Sequence, residues 1–143
     1  MRREARAIAP LALLLLLSSC LGRCVLTPDE EKAAWEAIDR FHTHVNLREY
    51  ARIYEEADPE FHESATAEQF ASAMTQLETQ YGRHLSFQRV SIVKTVNISA
   101  ARIEVVVNSR YSKRSGQEHF VFRLRDGVAL MTRYDMNEIA PRP

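Results

Sequence analysis

The sequence lacks several features on which particular classes of protein depend. Only four of its 143 residues are glycine, and they are too widely spaced to form a glycine-rich phosphate-binding loop. Cysteine occurs only at Cys20 and Cys24, which excludes a framework of structural disulfides. No Gly-x-Ser-x-Gly motif is present. We therefore expect neither a nucleotide-binding loop, nor a disulfide-stabilised fold, nor a serine hydrolase.

An excess of charge of one sign is also missing. The 19 lysine and arginine residues balance the 19 aspartate and glutamate residues. Because proteins that bind nucleic acid generally carry a strongly basic patch, we expect no nucleic-acid partner. A mean hydropathy of −0.31 with 45% hydrophobic residues is typical of an ordinary globule, and the length suits one domain.

The longest apolar run, residues 11–17, is too short for a membrane-spanning helix, which needs about 20 predominantly apolar residues. Three arginines precede the run, and Leu17-Ser18-Ser19-Cys20 ends it. A basic start, an apolar centre and small residues before a cleavage site are typical of a secretory signal peptide. Leu-Ser-Ser-Cys resembles the lipobox of bacterial lipoproteins, in which the chain is cut before the cysteine and the cysteine is lipidated. The alternatives are a transmembrane helix and a signal peptide cleaved without lipidation.

The lipoprotein resemblance divides the chain into a signal peptide (1–19), a lipidated tether (20–26) and a single α+β domain (27–143). It implies a protein of the bacterial cell envelope, held to the membrane by a lipid such as palmitate on Cys20. In that family an aspartate directly after the cysteine retains the protein in the inner membrane. Because position 21 is leucine, the resemblance favours the periplasmic face of the outer membrane in a Gram-negative cell. Cys24 would then be a free thiol or an intermolecular partner.

Helical signals fill the first half of the domain. Thr27-Pro28-Asp29-Glu30 is a capping box with proline at the first helical position, and it predicts a helix over 28–45. A second cap-like segment at Asn46 predicts a helix that ends at Asp58-Pro59, because the residue before proline is disfavoured in the helical region. Residues 60–64 are predicted to be a connector. A capping box at Thr66 predicts a third helix that runs to Tyr81 and ends at Gly82.

After Gly82 the apolar period changes from about 3.6 to 2, which indicates β-sheet. The alternation predicts four strands, with a bulge near Gln88-Arg89 and a hairpin turn at Asp126-Gly127. Some apolar residues have the parity opposite to the main apolar set, so the second face of the sheet is predicted to be partly apolar: Val106, Val121, Ala129 and Met131. The predicted fold class is α+β, with three N-terminal helices packed on a curved four-stranded antiparallel meander.

This order of elements, with the pattern Tyr50–Phe61 followed by Phe70, Met74 and Tyr81-Gly82, resembles the nuclear transport factor two-like, or cystatin-like, cone fold. It is similar to small secreted bacterial proteins described only as domains of unknown function. The resemblance implies a space between helix one and the sheet, where some members bind a small ligand or use an acid with a tyrosine. The residues predicted to line that space are Trp35, Tyr50, Tyr54, Tyr111 and Tyr134. No catalytic motif accompanies the resemblance, so no catalytic residue is assigned.

The histidines predict no metal site. His42 and His44 are two positions apart on a helix and point in nearly opposite directions, whereas a helical ligand pair needs a separation of three or four. His62, His84 and His119 are distant in sequence, and no ligand spacing joins them. We therefore expect no metal and no cofactor.

The sequence favours a lipid-anchored envelope protein that acts as a non-enzymatic binding or interaction module. Its expected partners are the membrane, through the lipid on Cys20, and a second copy of the chain, through the sheet face that carries Val106, Val121 and Met131. The alternative is a small-molecule-binding or acid–base catalytic pocket between helix one and the sheet. A core packed solidly behind Trp35 and the helical tyrosines would argue against that alternative.

Overall fold

The computed structural model describes residues 25–96 and 100–139. Four helices precede four strands: α1 (Pro28–Leu47), α2 (Tyr50–Glu55), α3 (Pro59–Ser64), α4 (Ala67–Tyr81), β1 (His84–Val96), β2 (Ala101–Tyr111), β3 (Ser115–Arg125) and β4 (Val128–Glu138). The predicted signal peptide and Cys20 lie outside the described residues. Among the helices of the described part, none combines the length and apolar character needed to cross a bilayer.

Helix α1 begins as its capping box predicts. The Thr27 hydroxyl accepts a hydrogen bond from the Glu30 N–H at 3.3 Å, and the Glu30 carboxylate accepts one from the Thr27 N–H at 2.9 Å. The helix continues past Asn46 and ends at Arg48, which has a left-handed backbone conformation. The prediction that Asn46 caps a second helix was therefore wrong. Its amide instead binds β1, donating to the His84 carbonyl at 3.1 Å and accepting from the His84 N–H at 3.0 Å.

The segment predicted to be a connector is helical. Asp58 has an extended backbone and its Oδ1 accepts a hydrogen bond from the Glu60 N–H at 3.0 Å, while Pro59 occupies the first helical position. A capping aspartate followed by proline starts a helix, whereas α2 already ends at Glu55 and not at Asp58-Pro59 as predicted. The domain therefore has a fourth, short helix, α3, where the sequence predicted none.

Helix α4 has the predicted bounds and ends at Gly82, whose φ is +81°. A Cβ at this position would lie 2.1 Å from the Ser112 hydroxyl oxygen. Both the backbone conformation and the close approach of the β2–β3 turn therefore require glycine.

The four strands form one antiparallel sheet in the order β1-β2-β3-β4, so β1 and β4 are its edges. The register of β1 against β2 shifts between Arg89 and Ser91, which confirms the predicted bulge. Two further shifts were not predicted. One lies between His84 and Ser86 at the start of β1. In the other, Val121 pairs with Arg133 and Phe122 with Met131, so Thr132 is an extra residue in β4.

Because of this extra residue, the side chains that precede Thr132 in β4 face the opposite side of the sheet from the one predicted. Ala129 and Met131 belong to the buried core beneath the helices, whereas Val128 is exposed. Placing Met131 on the second sheet face was therefore wrong. Of the other residues assigned to that face, Val106 is half-buried and Val121 is buried. Charged side chains share the face with them, including the Glu104–His119 pair at 3.7 Å. The homodimer through this face remains a prediction.

The core lies between α1 and the inner face of the sheet. Ile38 is fully buried on α1, and Ile103, Val105 and Phe120 are fully buried on the strands beneath it. The Phe41 ring packs edge-on against Phe120, with ring centroids 5.1 Å apart. The space between helix one and the sheet is thus filled by side chains.

Candidate functional site

Glu118 is an acidic residue buried in the largely apolar inner face of the sheet. Glu118 follows the same alternation on β3 as Phe120 and Phe122, so its side chain points into the core and is fully buried. On β2 the same rule turns Ser109 and Tyr111 inward. The period of the strands therefore places a carboxylate and two hydroxyls together inside the cone.

Four side chains donate hydrogen bonds to the Glu118 carboxylate. Oε1 accepts from the Tyr111 hydroxyl at 2.7 Å and the Tyr134 hydroxyl at 2.8 Å. Oε2 accepts from His42 Nε2 at 2.8 Å and from the Ser109 hydroxyl. Burial alone would raise the pKa of Glu118, but these hydrogen bonds and the adjacent His42 outweigh it and lower the pKa to about 2. Glu118 is consequently ionised at neutral pH, and His42 Nε2 carries the proton between them.

The two tyrosines are held in their protonated form. Burial and the neighbouring Glu118 charge raise the pKa of both Tyr111 and Tyr134 well above the usual value of a phenol. Their hydroxyls are therefore hydrogen-bond donors at any physiological pH.

His42 and His84 stack face to face beside Glu118. Their ring centroids are 3.6 Å apart and the rings are within 2° of parallel. Burial lowers the pKa of His84 to about 4, and His42 adds to the shift while Glu118 opposes it. His84 is therefore neutral at pH 7. Within the described residues, His42 Nδ1 and His84 Nε2 are buried without a hydrogen-bond partner.

Of the five residues predicted to line a pocket, the structure brings together two, Tyr111 and Tyr134, at Glu118. The other three lie elsewhere. Trp35 donates to Glu31 at 3.0 Å and stacks on Phe87, Tyr50 donates to Glu78 at 2.9 Å, and Tyr54 donates to the Ala65 carbonyl at 2.9 Å.

Sequence reasoning missed Glu118, Ser109 and the pairing of His42 with His84. One signal for Glu118 was available, because it shares the parity of Phe120, Phe122 and Leu124 in β3. No such signal existed for the histidines, since His42 is on α1 and His84 begins β1.

Two cavities near the cone differ in size and chemistry. A small cavity of about 40 Å³ lies between α1, α2 and β4, which is far below the size of a usual ligand pocket. An open groove of about 610 Å³ lies between α4 and β4, with Phe70, Met74 and Leu77 on one wall and Tyr134 and Met136 on the other. Tyr134 thus connects this groove with the buried carboxylate.

Comparison with known proteins defines the class of fold. No protein-family model and no curated protein matches the chain. Among solved structures, it is similar to an uncharacterised protein with a cystatin-like fold from Caulobacter vibrioides, with 15% identity, a TM-score of 0.50, and coverage of 78% of this chain and 90% of that one.

Two further structures are similar at lower TM-scores. A candidate scytalone dehydratase from Novosphingobium aromaticivorans has 13% identity, a TM-score of 0.47, and coverage of 77% of this chain and 84% of its own. A SEC-C motif containing protein from Rhodopseudomonas palustris has 15% identity, a TM-score of 0.47, and coverage of 69% and 74%. The likeness to the Caulobacter vibrioides protein, with the order of helices and strands, shows a cystatin-like α+β fold, as the sequence predicted. At these identities the likeness concerns the fold alone.

Proposed function

We propose that this chain is a lipid-anchored protein of the bacterial cell envelope, and that its cone-shaped domain is a non-enzymatic binding module held at the membrane. The observation that carries this proposal is the lipobox-like Leu17-Ser18-Ser19-Cys20 after a basic start and an apolar run. A lipid on Cys20 would anchor the protein stably if more than one acyl chain is attached, because a single chain binds only marginally.

A contact between Val25 and β1 supports a short tether. Lys94 near the end of β1 donates to the Val25 carbonyl at 3.4 Å and to Glu30 at 2.8 Å. Five peptide steps separate Cys20 from Val25, a span of at most about 18 Å. The end of the domain that carries the last residues of β1 would therefore lie close to the membrane. Val93 and Val96 at this end are among the exposed apolar residues of the domain.

The buried state of the polar cluster supports a non-enzymatic role. Glu118 is fully buried and Tyr111 is only 3% exposed. Four donors already occupy the carboxylate, so it lacks a free oxygen to accept a proton from a substrate.

Replacement of Cys20 by alanine tests the anchor. In cells that process lipoproteins, we expect the Cys20→Ala variant to leave the membrane fraction, whereas Cys24→Ala should stay in it. Immunoblots of membrane and soluble fractions, with mass spectrometry of the N-terminal peptide for the lipid, give the answer. If Cys20→Ala remains in the membrane fraction like the wild type, the lipoprotein proposal fails.

A ligand-binding role for the groove between α4 and β4 is the second candidate. Its walls are apolar, and the Tyr134 hydroxyl provides a polar group beside them. Native mass spectrometry of the gently purified protein would reveal a retained molecule. A stoichiometric adduct that disappears when Leu77 is replaced by arginine would support this candidate, and a bare protein would oppose it.

A further inference from the structure

We propose that His42, His84 and Glu118 form a binding site for one divalent transition-metal ion of the zinc type. One ring nitrogen from each histidine and one carboxylate oxygen all lie within 4.8 Å of one another. The three side chains come from α1, β1 and β3, so the folded cone assembles them. This inference is independent of the membrane anchor.

The donor set selects the class of metal. Zinc is commonly bound by imidazole nitrogen and carboxylate oxygen, and two histidines with one glutamate are a known three-ligand set. Calcium and magnesium prefer sites made of oxygen alone. A site with two imidazoles therefore favours zinc, copper, nickel or cobalt.

Unpartnered nitrogens in the histidine pair provide a second, independent observation. His42 is 4% exposed and His84 is 9% exposed, and each has a buried ring nitrogen without a hydrogen-bond partner in the described part of the chain. A buried polar atom without a partner costs about 1 to 3 kcal/mol. Coordination by His84 Nε2 would use a ring nitrogen that hydrogen bonds leave free, whereas His42 would bind through the Nε2 that now contacts Glu118.

Neighbouring residues would hold the ligands in place. Tyr111 and Tyr134 both bind Glu118 Oε1, which fixes the carboxylate with Oε2 facing His42 and the Ser109 hydroxyl. The Asn46 side chain holds the backbone of His84 through two hydrogen bonds. Such outer partners commonly orient the ligands of a metal site.

Metal binding requires a defined local change. An imidazole binds a metal ion through a lone pair that lies in the plane of its ring. Two parallel rings with centroids 3.6 Å apart cannot both point at one ion, so the stack must open. The ion would replace the proton that His42 Nε2 shares with Glu118 Oε2. Binding should therefore release protons.

Titration of the metal-free full-length protein in detergent with zinc chloride tests the site. After treatment with EDTA and buffer exchange, we expect one zinc ion per chain by isothermal titration calorimetry. The measured heat should vary between buffers of different ionisation enthalpy, because protons are released. Cobalt(II) substitution should give the visible absorption of a four-coordinate nitrogen and oxygen site.

Histidine variants assign the ligands. His84→Gln should weaken zinc binding at least 100-fold, whereas the matched controls His62→Gln and His119→Gln should leave it unchanged. Because His42→Gln could disturb the core, circular dichroism must show that each variant used is folded, and His84→Gln alone is sufficient for the decision. The proposal would be overturned if the wild type does not bind zinc stoichiometrically. It would also be overturned if His84→Gln changes the dissociation constant for zinc by less than threefold.

Discussion

His42 Nε2 and Glu118 Oε2 are 2.8 Å apart although the two residues are separated by 76 positions in the sequence. This bond joins the middle of α1 to β3 across the core. It is the central contact of a cluster that also includes Ser109, Tyr111 and Tyr134. Because the carboxylate is fully buried and ionised, the fold depends on all of its donors.

Replacement of Glu118 by glutamine should destabilise the domain strongly. The amide nitrogen replaces one of the two oxygens, so the two donors on that oxygen lose their acceptor. These are either His42 Nε2 and the Ser109 hydroxyl or the two tyrosine hydroxyls. We expect a loss of about 3 to 5 kcal/mol in the free energy of unfolding. Urea denaturation followed by circular dichroism measures it, with His119→Gln at the neighbouring, outward-facing position as the control. A loss below about 1 kcal/mol would show that the carboxylate is not a structural centre.

Removal of a single tyrosine hydroxyl should have a smaller effect. Tyr111→Phe and Tyr134→Phe each remove one donor from Glu118 Oε1 and leave the ring packing intact. We expect each substitution to lower the free energy of unfolding by about 1 to 3 kcal/mol. The double variant should deviate from additivity, because both hydroxyls bind one oxygen. Tyr81→Phe is a suitable control, since its ring packs on Tyr111 at a centroid distance of 5.7 Å but its hydroxyl does not bind Glu118. Equal effects of all three single variants in equilibrium denaturation would contradict this view.

The start of α1 and both ends of α4 could be predicted because their signals are local. Each helix starts at a capping box, and α4 ends at a glycine with positive φ. The start of α3 was missed because Asp58-Pro59 was interpreted only as the end of the preceding helix, although this pair caps a new one. The reversed parity of β4 depends on the extra Thr132, which is visible only when β4 is paired with β3.

The polar cluster was less accessible to sequence reasoning. Tyr111 and Tyr134 were selected as aromatic residues near a presumed cavity, and both belong to the cluster. Their common partner Glu118 was not selected, since an acidic residue in an alternating strand is usually on the solvent face. The histidine pair depends on how α1 packs against the start of β1, and no spacing rule describes such a contact.

The free energy of unfolding should decrease as the pH falls through a range that the pKa of His84 determines. Its pKa is about 4 in the folded domain and 6.5 in the unfolded reference, so the unfolded chain binds more protons between these values. The stabilising contribution is complete above about pH 6.5 and is lost as the pH falls towards 4, with a total of at most about 3 kcal/mol. Glu118 adds a second loss below about pH 4.5, because its folded pKa is lower than its unfolded value.

Chemical denaturation of the metal-free protein at pH 7, 6, 5 and 4 measures this dependence. His84→Gln should flatten the curve between pH 6.5 and 4, whereas His62→Gln, at an exposed histidine on α3, should not. Parallel curves for the wild type and His84→Gln would show that another group titrates in this window.

Substitution of two glycines separates backbone strain from steric clash. Gly82 and Gly127 both have positive φ, +81° and +77°. A Cβ at Gly127 meets no atom within 4 Å, whereas at Gly82 it would lie 2.1 Å from the Ser112 hydroxyl oxygen. Gly127→Ala should therefore cost only the left-handed backbone penalty of about 1 to 2 kcal/mol. Gly82→Ala should cost more, because the turn that connects β2 with β3 must also move.

Paired thermal melts of the two alanine variants give the comparison, and the double variant that combines Gly82→Ala with Ser112→Gly identifies the clash. Ser112→Gly removes the hydroxyl that the new Cβ would meet, as well as the hydrogen bond that this hydroxyl accepts from the Arg83 N–H at 3.0 Å. In that background we expect the cost of Gly82→Ala to fall towards that of Gly127→Ala. If it does not fall, the conformation of Gly82 rather than the contact with Ser112 determines the need for glycine, because ψ at this residue is −157°, a region that side chains with a Cβ rarely occupy.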